Sequence, residues 1–266
     1  MDNQNFFLRN IRSALGLAAG CERRINQYPA LFAAPDTGET VHRLRNRTAQ
    51  EQEELVQLLQ QNAKALGIHT HIAGSAGEAA AIVVELVRTR QPEFAHTKHI
   101  VQHDHPDIAA LQLWKRFTRE AVTVHTTFSS DRELREKTIA SFIGITAPWI
   151  GVADSATVIQ LTELGQPRST SLVPSIHIAL LQRDNLVADL GEAYVLLREK
   201  GYLDSFVFIS GPSKTADIEA QMVHGAHGPR EMHLIVLSPP ARLHDPAESE
   251  PINQMDQPRR NEDIPS

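Results

Sequence analysis

Residues 206–219 carry the sequence FVFISGPSKTADIE, whose pattern is the clearest indication of the fold. The first four residues are apolar, as in a buried strand, and Gly211 then favours a turn. Ser213 and Thr215 are suited to cap a helix, and the carboxylate of Asp217 suits a first helical turn. The segment therefore predicts a strand, a glycine-hinged turn and a helix. Such loops are where open α/β sheets usually bind ligands.

A second glycine-rich turn, GAHGPR at residues 225–230, comes shortly before the apolar run from Met232 to Leu237. Consecutive backbone amides and hydroxyl groups in such turns can hold a phosphate or a carboxylate. The alternative is a structural turn whose polar side chains only cap the next helix. Because the second turn supplies two more polar side chains, His227 and Arg230, we favour a ligand site over a structural turn. The predicted anion-binding residues are Arg168, Gly211, Ser213, Lys214, Thr215, Gly228 and Arg230.

Three side chains are candidates for acid–base chemistry, namely Asp154, Asp217 and His227. An unperturbed histidine titrates near neutral pH, and His227 would need a carboxylate to orient it. The alternative for His227 is a hydrogen bond to a backbone carbonyl that holds its turn. Asp154 lies between apolar stretches, where a carboxylate is costly unless it is paired or at a strand end. For His177, which lies in another apolar run, we favour a structural role.

The apolar pattern predicts alternating strands and helices, and hence an α/β fold with a central mixed or parallel sheet flanked by helices. This pattern occupies residues 48–238, and residues 3–19 have the spacing of an amphipathic helix. We predict an N-terminal helix and linker arm over residues 1–47, with the basic run at 43–47 facing solvent. Residues 239–266 contain six prolines among polar residues and predict a disordered tail.

Composition argues against several classes of function. The net charge of −6 disfavours nucleic-acid binding, which needs clustered Lys and Arg. Cys21 is the only cysteine, and one thiol cannot form an intrachain disulfide or hold an iron–sulfur cluster. No apolar stretch is long enough to span a bilayer or resembles a signal peptide, so we predict a cytoplasmic protein. Strand alternation would place His103 and His105 on one face and Asp104 on the other, and helix capping before Pro106 explains Asp104 without a metal. We therefore predict no metal site, and we expect no cofactor bound by this chain.

The two glycine-rich segments closely resemble the C-terminal signature of the lactate-utilisation protein C family, whose members carry the LUD domain. The matching residues are GPSKTADI at 211–218 and GAHGPR at 225–230. The resemblance extends back through Ser141–Thr146, Ala153–Thr157 and Leu172–His177. It covers roughly residues 100–238, with a weaker helical resemblance before that.

One segment departs from the family pattern. Relatives carry a carboxylate followed by Thr-Gly-Thr, whereas this chain has DSAT at residues 154–157. Where relatives carry Gly-Ala-Asp, this chain has APW at residues 147–149. The loss of a glycine and of an acidic residue predicts an altered geometry on this side of the site.

The resemblance implies a fold similar to the group of ribose-5-phosphate isomerase, glucosamine-6-phosphate deaminase and CoA-transferase. It also implies a role in oxidising L-lactate to pyruvate together with two iron–sulfur partner proteins. Because this chain lacks cluster ligands, we predict an accessory subunit with a small-anion pocket and expect the clusters on the partners. The alternatives are a stand-alone isomerase or transferase that uses Asp154, Asp217 or His227, and a scaffold or regulatory protein with a vestigial pocket.

Overall fold

The computed structural model describes residues 3–14, 16, 37–93, 97–201, 205–216, 222–224 and 228–238. The chain divides into two units, residues 1–42 and residues 43–266. The first unit contains helix α1, Asn3–Ala14, which lies within the stretch predicted to be helical. Cys21 and the proline-rich segment from residue 239 onward lie outside the described residues.

Helices and strands alternate along most of the second unit, as the apolar pattern predicts. The further helices described are α2 (Gly38–Arg45), α3 (Ala49–Leu66), α4 (Ala76–Thr89), α5 (Pro106–Ala109), α6 (Leu113–Arg116), α7 (Asp131–Ala140), α8 (Ser169–Leu172) and α9 (Leu190–Glu199). The strands are β1 (Ile68–Ala73), β2 (Lys98–Gln102), β3 (Val122–His125), β4 (Ile143–Thr146), β5 (Ile150–Val152), β6 (Thr157–Leu161), β7 (Ile176–Gln182), β8 (Leu186–Val187), β9 (Phe206–Ile209), β10 (Lys214–Ala216), β11 (Met222–His224) and β12 (Glu231–Leu237). None of the described helices is both long enough and apolar enough to cross a membrane.

Six of the strands form a parallel sheet in the order β1-β12-β7-β4-β2-β3. Every neighbouring pair in this sheet is parallel. A second sheet has the order β8-β5-β6-β9, in which β6 is antiparallel to both of its neighbours and β8 is parallel to β5. The predicted α/β fold with a mostly parallel central sheet is therefore confirmed.

Strand β7 shows why the six-stranded sheet lies at the centre. Every residue in Ile176–Leu181 is buried, as expected for a parallel strand that is covered on both faces. Ile178 joins the apolar cluster on one face of the sheet, and Ala179 joins the cluster on the other. The second cluster also contains Leu59 from α3 and Val158 from β6. The four-stranded sheet and α3 therefore cover the same face of the central sheet.

The prediction of a helix directly after Ser213 is wrong, because Lys214–Ala216 form the short strand β10. This strand pairs in antiparallel fashion with β11, and Thr215 lies opposite Val223. Capping propensity acts within a few residues, whereas the pairing partner, β11, lies farther along the chain. Strand formation depends on such a partner more than on local preference, so the pairing decided the outcome.

Gly144 in β4 permits an unusually close contact between a helix and the central sheet. A Cβ atom at this position would lie 1.8 Å from the carbonyl oxygen of Thr170 in α8. Two atoms cannot approach so closely, so the missing side chain is what lets α8 lie directly on β4. This contact matters for the site, because α8 supplies part of its wall.

Replacing Gly144 by Ala should destabilise the protein by about 1–3 kcal/mol, because α8 would have to move away from the strand. Thermal unfolding of the purified variant measures the loss. Gly77→Ala is the matched control, since a Cβ there would meet only Ser75 Oγ, at 3.7 Å. Gly77 lies in a helix, where Ala is preferred to Gly, so this control should unfold at the same or a higher temperature. Equal unfolding temperatures for Gly144→Ala and the parent would contradict the contact.

Candidate functional site

A cavity of about 310 Å³ lies between the loop at residues 210–213, here named the signature loop, and the first residues of β7 and β12. Its lining residues are Ser171, Leu172, His177, Val207, Phe208, Ile209, Ser210, Gly211, Ser213, Lys214, Gly228, Pro229 and Met232. Among them are four predicted anion-binding residues, namely Gly211, Ser213, Lys214 and Gly228. The structure thus brings the two glycine-rich segments together at one cavity, as their pattern predicts.

The cavity meets the six-stranded sheet at its amino-terminal edge. His177 and Met232, which line it, are the second residues of β7 and β12. In open α/β sheets the usual ligand site is the carboxyl-terminal edge, which is where we expected it. The difference arises because the signature loop follows β9, which belongs to the four-stranded sheet.

Backbone and side-chain hydrogen bonds hold the signature loop in place. Gly211 has a φ of +106°, a conformation that favours glycine. The amide of Ser213 donates to the carbonyl oxygen of Pro229 at 2.7 Å, which joins the two glycine-rich segments. Lys214 Nζ donates to the carbonyl oxygen of Leu66, at 2.7 Å, at the end of α3. The loop is thereby fixed to α3 on one side and to the residues before β12 on the other.

His177 is a cavity residue to which the sequence analysis assigned only a structural role. Its side chain is 1% exposed, and its Nε2 atom lies 2.8 Å from Oγ1 of Thr146. Its Nδ1 atom is buried and has no hydrogen-bond partner among the described residues. Burial lowers the pKa of His177 to about 3, and nearby His103 adds to this effect, so the ring is neutral at physiological pH. The sequence signal that could have revealed His177 as a site residue is a histidine within an otherwise apolar strand.

A second buried histidine, His103, lies beside the same region. Its Nε2 atom is 3.3 Å from the carbonyl oxygen of Pro167 and 3.5 Å from Nε2 of Gln160. Burial lowers the pKa of His103 to about 4, so this ring is also neutral. Within the described part of the chain, His103 Nδ1, Gln160 Oε1 and Thr170 Oγ1 are buried without partners. Polar atoms left in this state are costly unless a ligand or ordered water satisfies them.

The two predicted arginines are not among the residues that line the cavity. Arg168 is exposed, and its carbonyl oxygen accepts a hydrogen bond from Ser171 Oγ at 3.0 Å. Arg230 forms an ion pair with Glu93, whose other carboxylate oxygen accepts a hydrogen bond from Ser175 Oγ at 3.3 Å. Their role in anion binding stays a prediction.

The remaining predicted site residues lie apart or cannot be placed. Asp154 is exposed in the turn between β5 and β6 and does not line the cavity. The backbone of Thr215 lies in β10, but its side chain is outside the described part of the structure. Asp217 and His227 both fall outside the described residues. The catalytic roles of Asp154, Asp217 and His227 therefore stay predictions.

Comparison with known proteins identifies the family. Residues 56–237 match the family model of the LUD domain, which is more than half of the chain. The chain belongs to the LUD domain family. A solved structure, a DUF162 family protein from Deinococcus radiodurans, has a TM-score of 0.51 to this chain at 16% identity. The match covers 70% of this chain and 98% of that one, and it supports the fold alone.

Curated relatives of this LUD domain carry the name lactate utilization protein C. The protein from Shouchella clausii is 35% identical over 144 residues, which are 53% of this chain and 62% of the relative. The protein from Halalkalibacterium halodurans is 34% identical over 145 residues, which are 52% of this chain and 63% of the relative. The chain thus spans less than two thirds of the length of these relatives.

The segment around Asp154 contains a residue in a backbone conformation suited to glycine. Ala156, in the turn before β6, has a φ of +45°, in the left-handed region. Thr157, which matches the last threonine of the family pattern, lies 2.7 Å from Ser210 through the two hydroxyl groups. Ser210 lines the cavity, so this contact connects the altered segment to the signature loop.

The histidines near β2 of the LUD domain make contacts of other kinds. His99 stacks on His125 at 5.3 Å between ring centroids, with Nδ1 and Nε2 3.0 Å apart. His105 caps α5 by accepting a hydrogen bond from the amide of Asp107 at 3.2 Å. His96 lies outside the described residues. In the part of the chain that is described, no group of three or more His, Cys, Asp and Glu could hold a metal ion.

Proposed function

We propose that this LUD protein is an accessory subunit of a system that oxidises L-lactate to pyruvate in the cytoplasm. The observation that carries the proposal is the match to the LUD domain over residues 56–237, together with relatives named for lactate utilisation. The chain would act with two iron–sulfur proteins. These partners would carry the electrons, and this chain would contribute binding rather than redox chemistry.

The cysteine content supports this division of labour. The full sequence has one cysteine, Cys21, whereas iron–sulfur clusters are held mostly by several cysteine thiolates. An electron-transfer role within the system would therefore belong to other subunits. We accordingly place the clusters on the partners and assign no cofactor to this chain.

The cavity supports a small-anion pocket. Among the described residues that line it, Lys214 is the one with a formal charge, and none of them is a carboxylate. Lys214 Nζ has three N–H donors, and within the described part of the chain the structure shows one acceptor for them, the carbonyl oxygen of Leu66. A bound carboxylate could therefore pair with Lys214 without displacing an acidic side chain.

An affinity purification from the native host tests the proposal. The tagged chain would be expressed in a strain that lacks its gene and purified anaerobically after growth on L-lactate. We expect iron-containing partners to copurify and the material to reduce a dye when L-lactate is added. The same chain made without its partners should show no lactate-dependent reduction.

Two further results would contradict the proposal. Normal growth of the gene-deleted strain on L-lactate would remove the protein from lactate use. Turnover of a sugar phosphate or a CoA ester by the purified chain alone would favour the stand-alone isomerase or transferase. Growth on glucose serves as the control for general fitness.

A further inference from the structure

The cavity wall combines apolar and polar groups in a way that defines a class of ligand. Leu172, Ile209 and Met232 supply apolar surface, whereas Lys214 supplies a positive charge at the exposed side. His177 and Ser171 are deeply buried polar residues of this lining, each with 1% of its surface exposed. The hydroxyl of Ser171 donates to the carbonyl oxygen of Arg168, whereas one ring nitrogen of His177 has no partner among the described residues. A ligand that satisfies all three regions carries an anionic group, a small apolar group and another polar atom.

His177 can meet that further polar atom in two ways. Its Nε2 atom lies 2.8 Å from Oγ1 of Thr146, and a threonine hydroxyl can either donate or accept. If Nε2 donates to Thr146, Nδ1 is an acceptor suited to a ligand hydroxyl group. If Thr146 donates to Nε2, Nδ1 carries the proton and suits a ligand carbonyl oxygen. The His177–Thr146 pair therefore accepts either group without a net change of charge.

The free nitrogen of His177 supports a ligand role over a purely structural one. Nδ1 is buried and has no partner among the described residues. A buried ring nitrogen without a partner is unfavourable in the folded protein. A ligand oxygen in the cavity would remove this cost, because His177 itself lines the cavity. Burial keeps the ring neutral by lowering its pKa, so among the described residues of the lining the positive charge comes from Lys214.

We propose that the cavity binds small 2-hydroxy and 2-oxo carboxylates, with Lys214 contacting the carboxylate and His177 contacting the oxygen atom on C2. L-Lactate and pyruvate are the pair tested first, and this choice rests on the proposed function. The tautomer of His177 would change with the ligand, Nδ1 accepting from the hydroxyl of lactate and donating to the carbonyl of pyruvate. The methyl group of either ligand would contact the apolar wall.

Isothermal titration calorimetry of the purified full chain tests the proposal with four probes, L-lactate, pyruvate, propionate and inorganic phosphate. We expect lactate and pyruvate to bind with affinities within about tenfold of each other, because the His177–Thr146 pair serves both. Propionate lacks the oxygen atom on C2 and should bind at least about tenfold more weakly, since Nδ1 would stay unpaired. Propionate binding as tightly as lactate, phosphate binding best, or no binding of lactate and pyruvate would each overturn the proposal.

Substitutions assign the two contacts. Lys214→Met should weaken lactate binding by about tenfold or more through loss of the charged contact. Lys64→Met is the matched control, since Lys64 is an exposed lysine in the last turn of α3 and does not line the cavity. His177→Phe should abolish the preference for lactate over propionate, and circular dichroism would confirm that it folds. Retained preference in folded His177→Phe, or equal losses in both lysine variants, would refute the assignment.

The two experiments can fail independently. Lactate binding by the chain without copurifying iron proteins would remove the accessory-subunit function and keep the pocket. Lactate-dependent dye reduction by the purified assembly, without binding of lactate or pyruvate to this chain, would keep the function and remove the pocket.

Discussion

Lowering the pH from 7.5 to 5.0 should destabilise the protein by roughly 4 kcal/mol through two buried histidines. Burial lowers the pKa of His177 to about 3 and that of His103 to about 4, from 6.5 for an exposed histidine. Between pH 6.5 and the lowered pKa of each histidine, the unfolded chain binds a proton that the folded protein does not. Stability is therefore complete above pH 6.5 and is lost as the pH falls toward 4 and below. At pH 5, each of the two histidines lowers the free energy of unfolding by about 2 kcal/mol.

Other titrating groups do not change the sign of this effect. Burial also lowers the pKa of His233 to about 4, although Glu231 lies 2.7 Å from its ring, so protonation of His233 adds a loss of the same sign. The pKa of Glu231 is lowered to about 2, with hydrogen bonds from Arg90 and His233 outweighing burial. Its contribution is present above pH 4.5 and is lost only at lower pH. The interval from pH 7.5 to 5.0 therefore reports on the histidines.

Thermal unfolding at the two pH values measures the effect, which should be roughly 10 °C for a chain of this size. His177→Gln and His103→Gln should each reduce the loss of stability at pH 5.0 by roughly 2 kcal/mol, because glutamine does not titrate. His42→Gln is the control, since His42 lies exposed in α2. Full pH dependence in both buried variants would show that these rings are not the source of acid sensitivity.

The sequence was sufficient to predict that the two glycine-rich segments lie at one site. Gly211 and Gly228 mark turns that can be recognised from the local sequence, and both residues line the cavity. The strand at Lys214–Ala216 was not predictable in the same way, because its partner, Met222–His224, is not adjacent to it in sequence. His177 was missed for a related reason. A histidine in an apolar run has the same sequence pattern whether both of its ring nitrogens have hydrogen-bond partners or one of them has none.

Arg47 illustrates a further limit of pattern reading. The basic run at 43–47 was interpreted as a solvated face in the N-terminal arm, but the side chain of Arg47 is only 13% exposed. It donates to both carboxylate oxygens of Glu192, at 2.9 and 2.8 Å. Glu192 lies far along the chain, in α9, so no local pattern could reveal the pair. These residues belong to the second unit, which begins at Arg43.

Replacing Glu192 by Ala should destabilise the protein by about 3–5 kcal/mol, because it leaves Arg47 buried without its charge partner. Glu192 is 6% exposed, and it also accepts hydrogen bonds from Arg43 at 3.1 Å and from the amide of Ala188 at 2.7 Å. The removal therefore leaves the largely covered guanidinium of Arg47 with only its hydrogen bond to the carbonyl oxygen of Leu186, at 3.3 Å, and leaves the amide of Ala188 without its acceptor. Urea unfolding at neutral pH measures the free energy of unfolding.

Glu199→Ala is the matched control for this prediction. Glu199 also lies in α9 and pairs with an arginine, Arg45, at 2.6 Å, but the two side chains are 37% and 69% exposed. Exposed ion pairs contribute little, so this variant should lose no more than about 1 kcal/mol. Equal losses in the two variants would mean that burial does not strengthen the Arg47–Glu192 pair. A large loss in Glu192→Ala alone would show that Arg47, at the end of the segment predicted as an arm, is held to α9 by an ion pair with little solvent exposure.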